Sequence, residues 1–287
     1  MSFVFPPESS ATESAEPQNP WGGRVASILA EALNVAPDQI GMVLSTGKFE
    51  VSSELGEGAR RRKADALRVV LELAALEEIP LNLPANKPDV PDRGWLDLFL
   101  HLSSFAGSAL EQEIWARILV LELAEPRTIS RRALQFLHLM DHWELEAFVE
   151  YCAFAFSFES GWRFMFEGDL VRREIWSYGR EADLSHHWID VGLLSHETST
   201  LAPHRIAGLP LLYRSKCWEV KLSDVVELGV VDPIRYRKFT ALGQQIASAL
   251  ATKTFNGYAR NVIKVLQGQH DHVLFTSMED RGCLLYT

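Results

Sequence analysis

Three apolar runs at helical spacing follow one another between Ala109 and Phe158, and only a few residues part each from the next. Nothing else in the chain limits its fold so tightly. Ser108 stands where a helix N-cap belongs, with Glu111 three residues on, which is the capping-box pattern. The run ALEQEIWARILVLELA follows, and Pro126 closes it. Ser130 opens a second run, predicted to reach about Met140, and Asp141 opens a third, HWELEAFVEYCAFAFSF. Connectors this short make consecutive helices antiparallel neighbours. Upstream, Asp92 caps a further predicted helix that stops at Gly107.

Outside this block the texture varies. Residues 1–22 are rich in Pro, Ser and Glu and are expected to form a disordered or loosely docked tail. Residues 24–33 and 56–79 carry helical stripes, and Pro80, Pro84, Pro88 and Pro91 mark a connector. After about Ser160 the chain becomes aromatic and alternating. WRFMFEGDLVRREIW and HRIAGLPLLYRSKCWEVKL are predicted to be strands, and LSHHWIDVGLL a helix. IRYRKFTALGQQIASAL is predicted to be a strand entering a helix capped by Thr240. YARNVIKVLQ reads as a helix and HDHVLFTSM as a last strand. The fold expected is therefore α+β, mainly α. A helical bundle-like domain over 23–160 precedes a smaller winged-helix-like α+β module over 161–287.

Composition narrows the function. A formal net charge of −10 repels the phosphate backbone at long range, which disfavours a dedicated nucleic-acid binder but leaves room for a local basic patch. Three widely spaced cysteines offer neither a disulfide framework nor a zinc ribbon, and they suit a reducing compartment. No apolar stretch is long enough to span a membrane and the N-terminus lacks secretory character, so a cytoplasmic location is expected.

Several motifs fail on spacing. GMVLSTGKF has five residues between Gly41 and Gly47, and Phe49 stands where a phosphate loop needs Ser or Thr. Gly56 and Gly58 lack the third glycine of a dinucleotide fingerprint. The run RRRK, residues 60–63, fans out around a helix and reads as a solvated helix start. His138 with His142 and His186 with His187 lack ligand geometry. His270 and His272 would share one side of a strand, but zinc needs three or four ligands. No nucleophile motif occurs, and Cys152 lies in an apolar helix as a buried thiol. No metal, cofactor or catalytic residue is expected on these grounds.

The segment EIWARILVLELAEPRTISRRALQFLHLM resembles the core motif of a family of uncharacterised bacterial proteins, domain of unknown function 2806. The matching positions are Trp115, Ala116, Ile118, Leu119, Glu122, Pro126, Ser130, Arg132 and Leu134, and the resemblance covers about residues 92 to 255. Where that family often has Ala-Gly before the Glu, this chain has Val120 and Leu121. Where its turn often reads Pro-Gly, this chain has Pro126-Arg127. The resemblance implies a bacterial, cytosolic, mostly helical protein and carries no activity.

Within the motif, Glu122 is expected to be desolvated and paired with Arg131 or Arg132 across the turn. Trp115 is expected to anchor the core. The dense aromatics between Phe154 and Trp188 are expected mainly to fill the core, with any excess marking a partner surface. These features favour a non-enzymatic protein–protein interaction or self-associating module. The alternative is a nucleic-acid-associated regulator. It would use the locally basic C-terminal half through Arg205, Arg214, Lys216, Lys221, Arg235, Arg237 and Lys238.

Overall fold

The computed structural model describes residues 91–158, 161–178, 185–201, 207–214, 216–222, 233–270 and 273–278. The expected N-terminal tail, the helices at 24–33 and 56–79 and the basic run at 60–63 lie outside the described residues.

Four helices follow the caps. Helix α1 (Arg93–Ser103) begins where the Asp92 carboxylate accepts the Trp95 N–H at 3.0 Å. Helix α2 (Ala109–Ala124) opens on a complete capping box between Ser108 and Glu111. Helix α3 (Arg131–Leu139) opens on Ser130, whose hydroxyl accepts from the Ala133 N–H at 3.1 Å. Helix α4 (His142–Cys152) opens with the Glu144 carboxylate accepting the Asp141 N–H at 2.9 Å. Each carboxylate or hydroxyl satisfies an N–H that the first helical turn leaves without a partner.

Helix α4 stops at Cys152, short of the end of its aromatic run, and strand β1 (Phe156–Phe158) takes the remainder. Then follow β2 (Arg163–Phe166), α5 (Asp169–Ser177), α6 (Ser185–Asp190), β3 (Leu194–Leu201) and β4 (Pro210–Tyr213). The order continues with β5 (Lys216–Leu222), β6 (Ile234–Phe239), α7 (Ala241–Ser248), α8 (Tyr258–Gln269) and β7 (Val273–Ser277). The seven strands form one sheet in the order β3-β6-β2-β1-β4-β5-β7, and every pairing is antiparallel.

This sheet overturns the expectation of a mainly α chain with a small winged-helix-like module. Its strands draw on residues from Phe156 to Ser277, and it is the central layer. Three features hid it. β1 has three residues and continues an apolar helix. β3, LSHETSTL, carries too few apolar residues to alternate. The stretch after β2, expected to be strand, turns into α5.

Register assigns the two faces. Phe156, Phe164, Phe166, Leu211, Tyr213, Trp218 and Val220 share one face. Tyr258 of α8 packs there, with ring centroids 5.6 Å from Tyr213 and 6.0 Å from Phe156. Met165, Arg237 and Phe239 occupy the opposite face, where Phe239 meets Phe148 of α4. Phe148 in turn meets Trp188 of α6 at 5.1 Å. Helices thus cover both faces, and one hydrophobic cluster runs from Trp95 to Phe275 through both interfaces.

Helix α7 docks unusually closely. The Thr240 hydroxyl caps it at the Gly243 N–H (3.0 Å) and also donates to the Gly192 carbonyl at 2.7 Å. A Cβ added at Gly243 would stand 2.0 Å from the Leu193 carbonyl oxygen, so only glycine lets the helix reach the start of β3.

Candidate functional site

The exposed side of α4 frames a recess. Leu145, Phe148 and Cys152 turn one side of the helix into the core. Trp143, Glu146, Ala147 and Glu150, spaced at three- and four-residue steps, therefore share the other side, and the buried Ala153 closes the recess where the helix ends. Helix α2 contributes Leu110 and Glu113, and the segment after α7 contributes Ala251, Lys253 and Phe255. The recess encloses about 540 Å³, within the span of ligand and peptide sites.

Its chemistry is aromatic and acidic. Trp143 is 52% exposed, although its ring lies 5.2 Å from that of His187. His187 is fixed in turn by the Glu144 carboxylate at 2.7 Å. Three carboxylates, Glu113, Glu146 and Glu150, face a single amine, Lys253. Glu113 is tethered to Arg117 at 3.2 Å, and Glu146 lies 3.4 Å from His142. Carboxylates, an indole and apolar walls offer Coulombic attraction and ring stacking to a cationic group.

The structure places the residues singled out in the sequence elsewhere. Glu122 is buried, 2% exposed, but it does not pair with Arg131 or Arg132. Its two oxygens accept the backbone N–H groups of Arg127 (2.7 Å) and Ile129 (3.0 Å) instead. Arg131 reaches back to Asp92, and Arg132 is exposed. The turn comes closer to Glu122 than either arginine, and its N–H groups neutralise the lone pairs without burying a second charge. Desolvation pushes the Glu122 carboxyl above its ordinary range, against the opposing pull of those N–H groups. Trp115 is buried against Phe99, at 5.5 Å, in the core.

The basic residues do not gather. Arg205 lies outside the described residues. Arg235, Arg237 and Lys238 belong to β6, while Lys216 and Lys221 belong to β5, four strand positions away in the sheet. Arg237 is committed to Glu167 and to the carbonyls of Ser195 (2.8 Å) and His196 (2.9 Å). Lys221 pairs with Glu219 at 3.2 Å, Lys238 lies over the Tyr236 ring, and Arg214 donates to the Cys152 carbonyl at 3.1 Å. Among the described residues no group of three or more His, Cys, Asp or Glu is placed to hold a metal ion. Nor is any helix among them long and apolar enough to cross a membrane. Burial pushes the Cys152 thiol up to about 12.

Sequence reading missed Trp143, Glu146, Glu150 and Lys253. The first three were visible as a polar stripe opposite Leu145, Phe148 and Cys152. The last required the tertiary fold, because 251–255 is remote in sequence from α4.

Fold and recess together define an α+β protein with helices on both faces of an antiparallel sheet and an acid-rimmed groove beside α4. The chain belongs to the DUF2806 family, described as a protein of unknown function, whose model matches residues 60–263. No curated protein and no solved structure matches the chain.

Proposed function

We propose that the protein is a non-enzymatic interaction module, and that the groove beside α4 receives a Lys- or Arg-bearing segment of a partner protein. One observation carries the reading: an exposed tryptophan and three carboxylates line a recess of about 540 Å³ on the solvent side of a helix whose other side is core. A cationic segment would add its charge to the carboxylates and its apolar stem to Trp143 and Phe255. The family resemblance favours a bacterial, cytoplasmic setting. The alternative reading, a nucleic-acid-associated regulator, has less behind it, because its basic residues divide between distant strands and several already hold partners.

The test uses the full chain and a labelled peptide of alternating Lys and Leu, with a Glu-for-Lys counterpart. Fluorescence anisotropy should show salt-sensitive binding of the cationic peptide only. Trp143→Ala and the pair Glu146→Gln with Glu150→Gln should each weaken it roughly tenfold or more. Equal binding of both peptides, or binding indifferent to these substitutions, would refute the reading.

A further inference from the structure

A second feature lies on the sheet face that meets α4, and it is cationic. Arg163 of β2 and Ser157 of β1 stand opposite each other, as do Ser157 and Leu212 of β4, so the three share one row. Arg214 follows Leu212 by two residues, at the turn into β5, in the left-handed region with φ 58°. The two arginines thus flank β1 from either side. Both lie close enough to Cys152 for their charges to act on its thiol, and close enough to each other for Arg163 to act on Arg214.

Among the described residues neither has an acid against it. Among the described residues, Arg117 pairs with Glu113, Arg131 with Asp92, Arg172 with Asp169 and Arg237 with Glu167. No described carboxylate stands in that relation to Arg163 or Arg214. Among the described residues, Arg214 donates to the carbonyl of Cys152 alone, at 3.1 Å, in a partly buried contact. A helix C-terminus offers about half an elementary charge, too little to offset two guanidinium groups. Burial holds both arginines below their ordinary pKa, and Arg163 adds to the effect on Arg214. Arginine nevertheless stays protonated in water, so two like charges flank β1, Arg163 half-buried and Arg214 exposed beside it. An anion set between them would relieve their mutual repulsion and give the half-buried Arg163 a partner.

We propose that Arg163 and Arg214 form a binding site for a phosphate-type oxyanion, with the Ser157 hydroxyl between them as a further donor. Guanidinium groups meet such an anion in a fork of paired N–H bonds, which a flexible amine does not reproduce. The site is independent of the groove beside α4, since none of its three residues lines that recess.

Inorganic phosphate is the probe. Calorimetric titration of the full chain at fixed ionic strength should give saturable binding, accompanied by a rise in Tm with phosphate concentration. Acetate at matched ionic strength should give neither. Arg163→Gln should weaken binding by about tenfold or more, the scale of one lost charged hydrogen bond. Arg163→Lys, which keeps the charge and loses the fork, should fall between Arg163→Gln and the unaltered chain. It carries the comparison if Arg163→Gln does not fold. Arg235→Gln, exposed on β6, should bind as the unaltered chain does. Absence of saturable phosphate binding, acetate binding as tight as phosphate, or unchanged affinity in both Arg163 variants would each overturn the proposal.

Discussion

The Glu122 carboxylate and the Ile129 backbone N–H meet at 3.0 Å across the turn that joins α2 to α3. The other carboxylate oxygen takes the Arg127 N–H at 2.7 Å, so one side chain satisfies two donors of the connector. The turn is also a junction, since the Trp95 indole donates to the Ile129 carbonyl and Gln245 of α7 accepts from Ser130. Glu122→Ala should therefore cost about 2–4 kcal/mol, from two orphaned N–H groups and a small cavity. Urea unfolding followed by circular dichroism measures it, and a change under about 0.5 kcal/mol would mean that the turn holds itself.

A pH series tells which force governs the carboxyl. Desolvation raises its folded pKa above the ordinary 4.5, so the folded chain binds the proton more tightly than the unfolded one. Stability linked to Glu122 is thus greatest below 4.5 and falls as pH rises through the interval up to the folded value. Glu122→Gln lacks this dependence. The stability of the unaltered chain minus that of Glu122→Gln should decrease with rising pH across the interval. An increase would mean that the two N–H bonds outweigh burial.

Arg127 occupies the left-handed region, with φ 76°, one residue after Pro126. A Cβ is strained there and glycine is not. Its backbone N–H, the group that matters to Glu122, survives substitution. Arg127→Gly should raise stability by about 0.5–1 kcal/mol, seen as a higher Tm. A lower Tm would show that the arginine side chain makes a contribution larger than the strain.

Gly243 tests the close approach of α7 to β3. Gly243→Ala sets a Cβ 2.0 Å from the Leu193 carbonyl oxygen, a backbone atom that cannot rotate away. The helix must shift and disturb the Thr240 cap. A loss of about 2–4 kcal/mol, or failure to accumulate folded protein, is expected. A Tm within a degree of the unaltered chain would place the helix farther from the strand.

What could be read from sequence was local. Asp92, Ser108, Ser130 and Thr240 each sit within three residues of the N–H groups they cap, and Asp141 within three of the Glu144 carboxylate that accepts its own N–H, so the starts of these helices are legible in the sequence. The hairpin of β4 and β5 and the strand before Thr240 were visible for the same reason. The sheet was not, because its order sets β1 against β4 and β6 against both β2 and β3, pairings that no local pattern encodes. The Glu122 partner was misjudged in the same way: a charge nearby in sequence drew attention, while the backbone of the intervening turn met the need. The groove was half legible, as the polar stripe of α4, and half invisible, as Lys253 and Phe255 arriving from beyond α7.

Hydrogen exchange of the full chain, with and without the cationic peptide, tests the proposed groove most directly. Binding there should slow exchange in peptides spanning 143–153 and 251–255, and leave β5 and β7 unchanged. Protection confined to other segments, or none at saturating peptide, would contradict the assignment of the groove as the partner site.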